Sequence, residues 1–311
     1  MKRRLSAAAL GLHLSAGNRA GQFLDEYVSV PGREIPIRIY GGGNTGGAPV
    51  VVYLHGGGWV SGNLDSHHAL CCLLRQKLSA TIVSVHTRRA PESPWPAQKD
   101  DALDVVRFLQ SPNGLAEIGR GGIILAGDSA GAFVAFHAAL ALGDADLLRG
   151  ALLFYPALDP DTDKQSYRQY AEAPGLSAEN MQRYWNALFA GAADGAEPYR
   201  LANLPGLKSL PPICLLAAEH DPLRDDPALL AALLRACGGD VLLSLAAGTT
   251  HGFCRFVGQD GEARRRVEEF LETALAFLSE AGPRRAGLAG GDRRLASEGS
   301  LCEGNPSKGS L

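Results

Sequence analysis

The stretch that most constrains this chain is Gly127-Asp128-Ser129-Ala130-Gly131. It follows the apolar run 123–126 and opens the Ala-rich apolar segment 132–142. That order reads as strand, tight turn, helix. A serine held on such a turn is pushed out of the backbone, where its oxygen can be reached. The glycines on either side have no Cβ, so strand and helix can approach closely and the turn can hold strained dihedrals.

Two further segments give the turn a chemical context. Upstream, His55-Gly56-Gly57-Gly58-Trp59 comes directly after Val50-Val51-Val52-Tyr53-Leu54. Three glycines after a buried strand leave backbone N–H groups free to point at a developing negative charge. Downstream, a strand over 213–217 leads into Glu219-His220-Asp221-Pro222-Leu223-Arg224-Asp225. A helix over 227–237, a strand over 241–245 and a loop with His251-Gly252-Phe253 follow. An acid and a histidine therefore each sit just after a strand, in the chain order Ser, Asp, His, which suits a nucleophile, an orienting acid and a base. The residues alone leave two acids open, Asp221 and Asp225.

With these segments in hand, the chain resembles the hormone-sensitive-lipase-like (bacterial family IV) carboxylesterases of the α/β-hydrolase fold. The resemblance rests on HGGGW at 55–59, GDSAG at 127–131, DPLRD at 221–225 and HGF at 251–253, with RRAPESPWPA at 88–97 between them. It runs from about Glu26 to Leu278. It implies a mostly parallel central sheet with helices on both faces and a small helical cap. It implies Ser129 as nucleophile, His251 as base and Asp221 rather than Asp225 as the acid. The N–H groups of Gly57, Gly58 and Ala130 would stabilise the oxyanion. Trp59 and Asp128 are candidate pocket residues; Trp59 either lines the acyl pocket or packs beneath it, and Asp128 reads as structural. His55 reads as a brace of its loop, and His67, His68 and His220 as surface or capping residues. The implied reaction is hydrolysis of a small, short-acyl ester through an acyl-enzyme, with no metal and no organic cofactor. The alternatives are an amide or aryl formamide hydrolase on the same triad, and a non-catalytic small-molecule receptor, a class that characteristically loses the triad histidine. The chain departs from the family pattern at His86-Thr87, Arg89 and Ala132, and the stretch before HGGGW is short. None of these removes a catalytic atom.

The bulk properties fit this reading. At 311 residues with 46% hydrophobic residues, the chain suits one α/β domain with a large core. A formal net charge of −3 gives no reason to expect nucleic acid or an anionic membrane as partner. The expected partner is a small-molecule ester, and homodimer formation stays compatible with the sequence. The six cysteines show no metal-ligand spacing and no dense disulfide framework, which suits free thiols and a cytoplasmic location.

Strands over 25–30 and 35–40 flank the turn signal Pro31-Gly32-Arg33, and Gly41 to Gly47 reads as a flexible loop. Strands over 50–54, 81–85, 122–126 and 150–154 alternate with helices over 65–79, 97–110 and 130–142, as in a parallel sheet covered on both faces. Residues 157–208 break the alternation and read as a cap insertion, its aromatics Tyr184, Trp185 and Phe189 as packing. A helix over 262–279 closes a catalytic domain spanning 25–280. Residues 1–24 read as a reduced N-terminal cap segment or, alternatively, a weak export leader. Residues 281–311, without aromatic or β-branched side chains, read as a disordered tail.

Overall fold

The computed structural model describes residues 23–41, 48–111, 121–143, 147–190 and 195–281. The expectations for residues 1–22, for the loop 42–47 and for the tail from 282 lie outside the described residues. Eight strands form one sheet in the order β1-β2-β4-β3-β5-β6-β7-β8. They are β1 (Leu24–Val30), β2 (Arg33–Tyr40), β3 (Val50–Leu54), β4 (Thr81–Val85), β5 (Ile123–Asp128), β6 (Leu148–Phe154), β7 (Ile213–His220) and β8 (Val241–Thr250). β1 and β2 form a hairpin over Pro31-Gly32, and β2 pairs antiparallel with β4. From β4 to β8 all pairs are parallel.

Among the described residues the helices are α1 (His68–Leu78), α2 (Ala97–Gln110), α3 (Ala130–Leu142), α4 (Gln165–Gln169), α5 (Ala178–Leu188), α6 (Asp225–Ala236) and α7 (Gly261–Ala281). The continuous apolar strands hide a period of two. Val50, Val52 and Leu54 of β3 join the core beneath α2, α3 and α6, whereas Val51 and Tyr53 join the core beneath α1 and α7. A strand buried on both faces has no polar side to show, so its sequence reads as an unbroken hydrophobic run. The same logic explains α3. Its side chains from Ala130 to Ala139 are buried all round, as expected of a helix with no solvent face.

Some boundaries differ from the sequence reading. The helix read from 65 begins at His68, because Asn63 captures the preceding turn. Its Oδ1 accepts the N–H groups of Asp65 at 3.0 Å and Ser66 at 2.8 Å, a local alternative to helical bonding. β8 runs five residues further than read, to Thr250. Between β6 and β7 the described residues hold α4, α5 and short 3-10 turns, and no strand. No helix among the described residues is long and apolar enough to cross a membrane.

Register decides where the functional loops emerge. Leu54 pairs with Gly127, Asp128 with Phe154, and Phe154 with Leu216. At the far side, His220 pairs with Thr250. The loops after β3, β5, β7 and β8 therefore leave the sheet at the same carboxyl-terminal edge, where open α/β sheets place their ligands.

Candidate active site

Ser129 occupies the turn between β5 and α3 with φ 52° and ψ −121°. That backbone is strained for a residue with a Cβ, by roughly 1–3 kcal/mol. Backbone hydrogen bonds hold it there. The Ser129 N–H donates to the Phe154 carbonyl at 2.9 Å, and its own carbonyl accepts from Ala132 at 3.1 Å and Ala157 at 3.2 Å. Gly131 explains the small residues around it. A Cβ there would collide with the carbonyl of Leu54, so the elbow can abut the end of β3 only with glycine at this position.

The side chains follow from these strand ends. Ser129 Oγ lies 2.8 Å from His251 Nε2, and His251 Nδ1 lies 2.7 Å from Asp221 Oδ2. The free Asp221 Oδ1 accepts the Leu223 N–H at 2.9 Å. Asp221 is fully buried, and Ser129 and His251 are each 8% exposed. Asp225 points elsewhere: its Oδ2 accepts the Ser166 N–H at 2.8 Å. Its neighbour Asp226 is fully buried and takes the Lys164 ammonium at 2.7 Å. Burial pushes the Asp226 carboxyl up to about 6, against the opposing pull of Lys164.

The glycine loop turns back on itself. Gly57 has φ 123°, and its carbonyl accepts from Val60 at 3.2 Å and Ser61 at 2.9 Å. The N–H groups of Gly57, Gly58 and Ala130 find no acceptor among the described residues. Gly58 carries the Tyr184 ring against it, so close that a Cβ would come within 2.5 Å of the ring.

Behind the loop lies a network that the sequence reading did not contain. Asp128 Oδ1 accepts the Gly56 N–H at 2.8 Å and the Tyr53 hydroxyl at 2.6 Å. Tyr155 donates to Oδ2 at 3.4 Å, and His67 Nε2 lies 3.2 Å from the carboxylate. Burial alone would raise the Asp128 carboxyl; facing His67, Tyr53 and Gly56 outweigh it and hold it well below the usual carboxylate range. His55 donates from Nδ1 to the Gly56 carbonyl at 3.0 Å, and its Nε2 lies 3.3 Å from His86 Nδ1. Burial lowers His55 to about 4, so it is neutral at pH 7.

Of the two readings of His67, surface or capping, the second fits: it takes the N-cap position of α1, is 2% exposed and packs on Asp128. Tyr184 packs against Gly58 and also lines the cavity over Ser129. Trp59 settles beneath the site rather than in its wall, with its ring 4.5 Å from Trp185 and 5.4 Å from Phe133. His68 is half-buried beside the Tyr40 hydroxyl at 3.1 Å, and His220 is exposed. No sequence signal marks Tyr53, Tyr155 or Tyr184, since their partners lie on other strands and loops.

The cavity at Ser129 measures about 110 Å³ and is walled by Gly58, Leu176, Asn180, Tyr184, His251 and Arg255 among others. That is small beside the roughly 300–1,000 Å³ of common ligand pockets. A buried base bonded to a serine on one side and a carboxylate on the other can deprotonate the hydroxyl. The free N–H groups can then receive the charge that its attack creates.

Comparison with known proteins gives the family and the fold. Residues 51–255 match the family model described as the alpha/beta hydrolase fold. Carboxylesterase NlhH of Mycobacterium tuberculosis is 38% identical over 256 residues, covering 78% of this chain and 79% of its own length. An ethyl acetate hydrolase of Pseudomonas putida is 32% identical over 257 residues, covering 80% of this chain and 79% of its own. Among solved structures, a hyperthermophilic esterase from the archaeon Pyrobaculum calidifontis superposes with a TM-score of 0.75 at 31% identity, covering 88% of this chain and 90% of that one.

Proposed function

The chain belongs to the hormone-sensitive-lipase-like carboxylesterases of the α/β-hydrolase family, and from that premise we propose that it cleaves short-acyl esters with Ser129, His251 and Asp221. It is a carboxylic-ester hydrolase. The observation that carries the mechanism is the unbroken relay from Ser129 Oγ to His251 at 2.8 Å and from His251 to Asp221 at 2.7 Å.

In this mechanism His251 Nε2 takes the Ser129 proton as Oγ attacks the ester carbonyl carbon. Asp221 holds Nδ1–H in place and stabilises the imidazolium that forms. The carbonyl π electrons move onto oxygen, and the N–H groups of Gly57, Gly58 and Ala130 donate hydrogen bonds to the oxyanion that forms. Each such donor is worth on the order of 3 kcal/mol of barrier. As the tetrahedral intermediate collapses, the C–O bond to the alcohol breaks and His251 returns the proton to the leaving oxygen. Water then repeats the sequence on the Ser129 acyl-enzyme and releases the acid. Asp128 and His55 act behind the site, by holding the loop that presents the donors. Residues 157–208 act as the cap, supplying Leu176, Asn180 and Tyr184 to the cavity wall.

The cavity of about 110 Å³ supports a small acyl group, and the ethyl acetate hydrolase among the relatives points the same way. The test is turnover of p-nitrophenyl acetate by wild type and by Ser129→Ala. Wild type hydrolyses the ester and labels at Ser129 with a fluorophosphonate; the folded variant does neither. Residual turnover above about a tenth of wild type would remove Ser129 from its role.

A further inference from the structure

Arg255 differs from the other charged side chains near the site. It lines the same cavity as Ser129 and His251 and is exposed. Some other arginines have carboxylate partners: Arg38 pairs with Asp25, Arg88 with Asp101, and Arg264 with Glu268, whereas Arg89 and Arg149, outside the cavity lining, donate to the backbone carbonyls of Gly62 and Gly121. Among the described residues Arg255 pairs with no carboxylate. Its guanidinium instead lies along the backbone of Gly252, the residue after His251. A Cβ at Gly252 would come within 3.1 Å of it. The Phe256 ring lies 5.8 Å from it. The cation is thus held beside the base without being neutralised.

The rest of the wall is of the same character. Ser61, Asn180 and Tyr184 contribute hydrogen-bonding groups, and Leu176 is its aliphatic side chain. The acid in the lining, Asp128, is already occupied by Tyr53, Gly56 and His67. Pockets for long acyl chains are lined mostly by apolar side chains. This one offers a cation and neutral polar groups in a small volume. A guanidinium fork matches the two oxygens of a carboxylate, and such charge-assisted bonds are about twice as strong as neutral ones.

We propose that the preferred substrates are short esters that also carry a carboxylate, bound by Arg255 while the ester carbonyl lies at Ser129. This rests on the esterase reading above and narrows its substrate class. The carboxylate belongs either to the acyl part, as in a half-ester of a dicarboxylic acid, or to the alcohol part, as in an acylated hydroxy acid.

Two pairs of probes separate these. Monoethyl succinate against diethyl succinate puts the charge on the acyl side; 4-acetoxybenzoate against 4-acetoxybenzamide puts it on the alcohol side. The readout is the ratio of kcat/KM, anionic over neutral, in wild type, Arg255→Lys, Arg255→Gln and Arg255→Glu. In one pair the ratio falls on the order of tenfold in Arg255→Gln and further in Arg255→Glu, with Arg255→Lys between it and wild type. In wild type the ratio of that pair also falls as salt is added, because an exposed charge is screened. This second measurement decides the matter even where a variant fails to fold. Ratios that ignore both Arg255→Gln and salt in both pairs overturn the proposal and leave the esterase reading standing. Failure of wild type to hydrolyse any of the four probes, or p-nitrophenyl acetate, overturns both.

Discussion

Asp128 and Gly56, 72 residues apart in the chain, are joined by a 2.8 Å hydrogen bond from the Gly56 N–H to the Asp128 carboxylate. The residue before the nucleophile therefore holds the first glycine of the loop that supplies the oxyanion donors. The elbow and the loop are one mechanical unit, and Gly131 against Leu54 makes the same connection through backbone contact. Asp128→Asn keeps an acceptor oxygen but loses the charge that faces His67 and Tyr53. We expect kcat to fall roughly tenfold to a hundredfold with a smaller change in KM, because the donors act on the transition state. Thermal unfolding should move down as well, by an amount matching about 1–3 kcal/mol for a broken buried network. An unchanged kcat would separate the loop from Asp128.

The two acids of DPLRD should behave differently. Asp221 lies 2.7 Å from His251, so Asp221→Asn should lower kcat by roughly 10⁴ through loss of the correct tautomer. Asp225 receives the Ser166 N–H at 2.8 Å, so Asp225→Asn should chiefly loosen the contact of α4 with the loop after β7. Its kcat should stay within about tenfold of wild type while stability falls by about 1 kcal/mol. Steady-state kinetics beside urea unfolding would reveal a reversed ranking.

Stability should decline in acid through buried histidines. His137 sits among Phe133, Trp95 and Tyr199, and its Nε2 has no hydrogen-bond partner among the described residues. Burial, reinforced by the charge of Lys99, lowers it from 6.5 to about 3, and His55 falls to about 4. Below pH 6.5 the unfolded chain takes up protons that these folded rings refuse, so stability drops as pH falls toward 4. Asp226 works in the opposite sense: raised from 3.8 to about 6, it takes up its proton in the folded state first. His137→Phe isolates one contribution. Relative to wild type it should gain about 2 kcal/mol on going from pH 8 to pH 5. Denaturant unfolding at the two pH values measures this, and a difference independent of pH would show that His137 ionises in the folded protein.

Acyl length should be bounded by the cavity of about 110 Å³. Across a p-nitrophenyl ester series, each methylene adds only about 0.8 kcal/mol while it finds apolar surface. Acetyl to hexanoyl esters should be preferred, with emulsified long-chain triglycerides poor. A kcat/KM still rising at dodecanoyl and palmitoyl would contradict a small acyl pocket. Faster turnover of an aryl formamide than of any ester would move the activity to amide hydrolysis.

What the sequence determined by itself was local. The run 50–54 could only be a strand buried on both faces, and β3 at Val50–Leu54 lies inside the sheet between β4 and β5. The strand–turn–helix around Ser129 was legible because its glycines and apolar runs act over a few residues. So was the chain order of serine, acid and histidine. Tertiary structure decided the rest, because it depends on which way side chains point once distant segments meet. Asp221 and Asp225 are four residues apart, at the two ends of the short link from β7 to α6; only the placement of β8 and α4 sends one to His251 and the other to Ser166. His67 read as surface or capping, and only the fold set its ring on Asp128, 61 positions along the chain. Trp59 could not choose between wall and floor until Trp185 and Phe133 took their places around it. The small, polar cavity with Arg255 beside the base is likewise a product of four separate chain segments, and no periodicity or motif encodes a volume that is only what those segments leave unfilled.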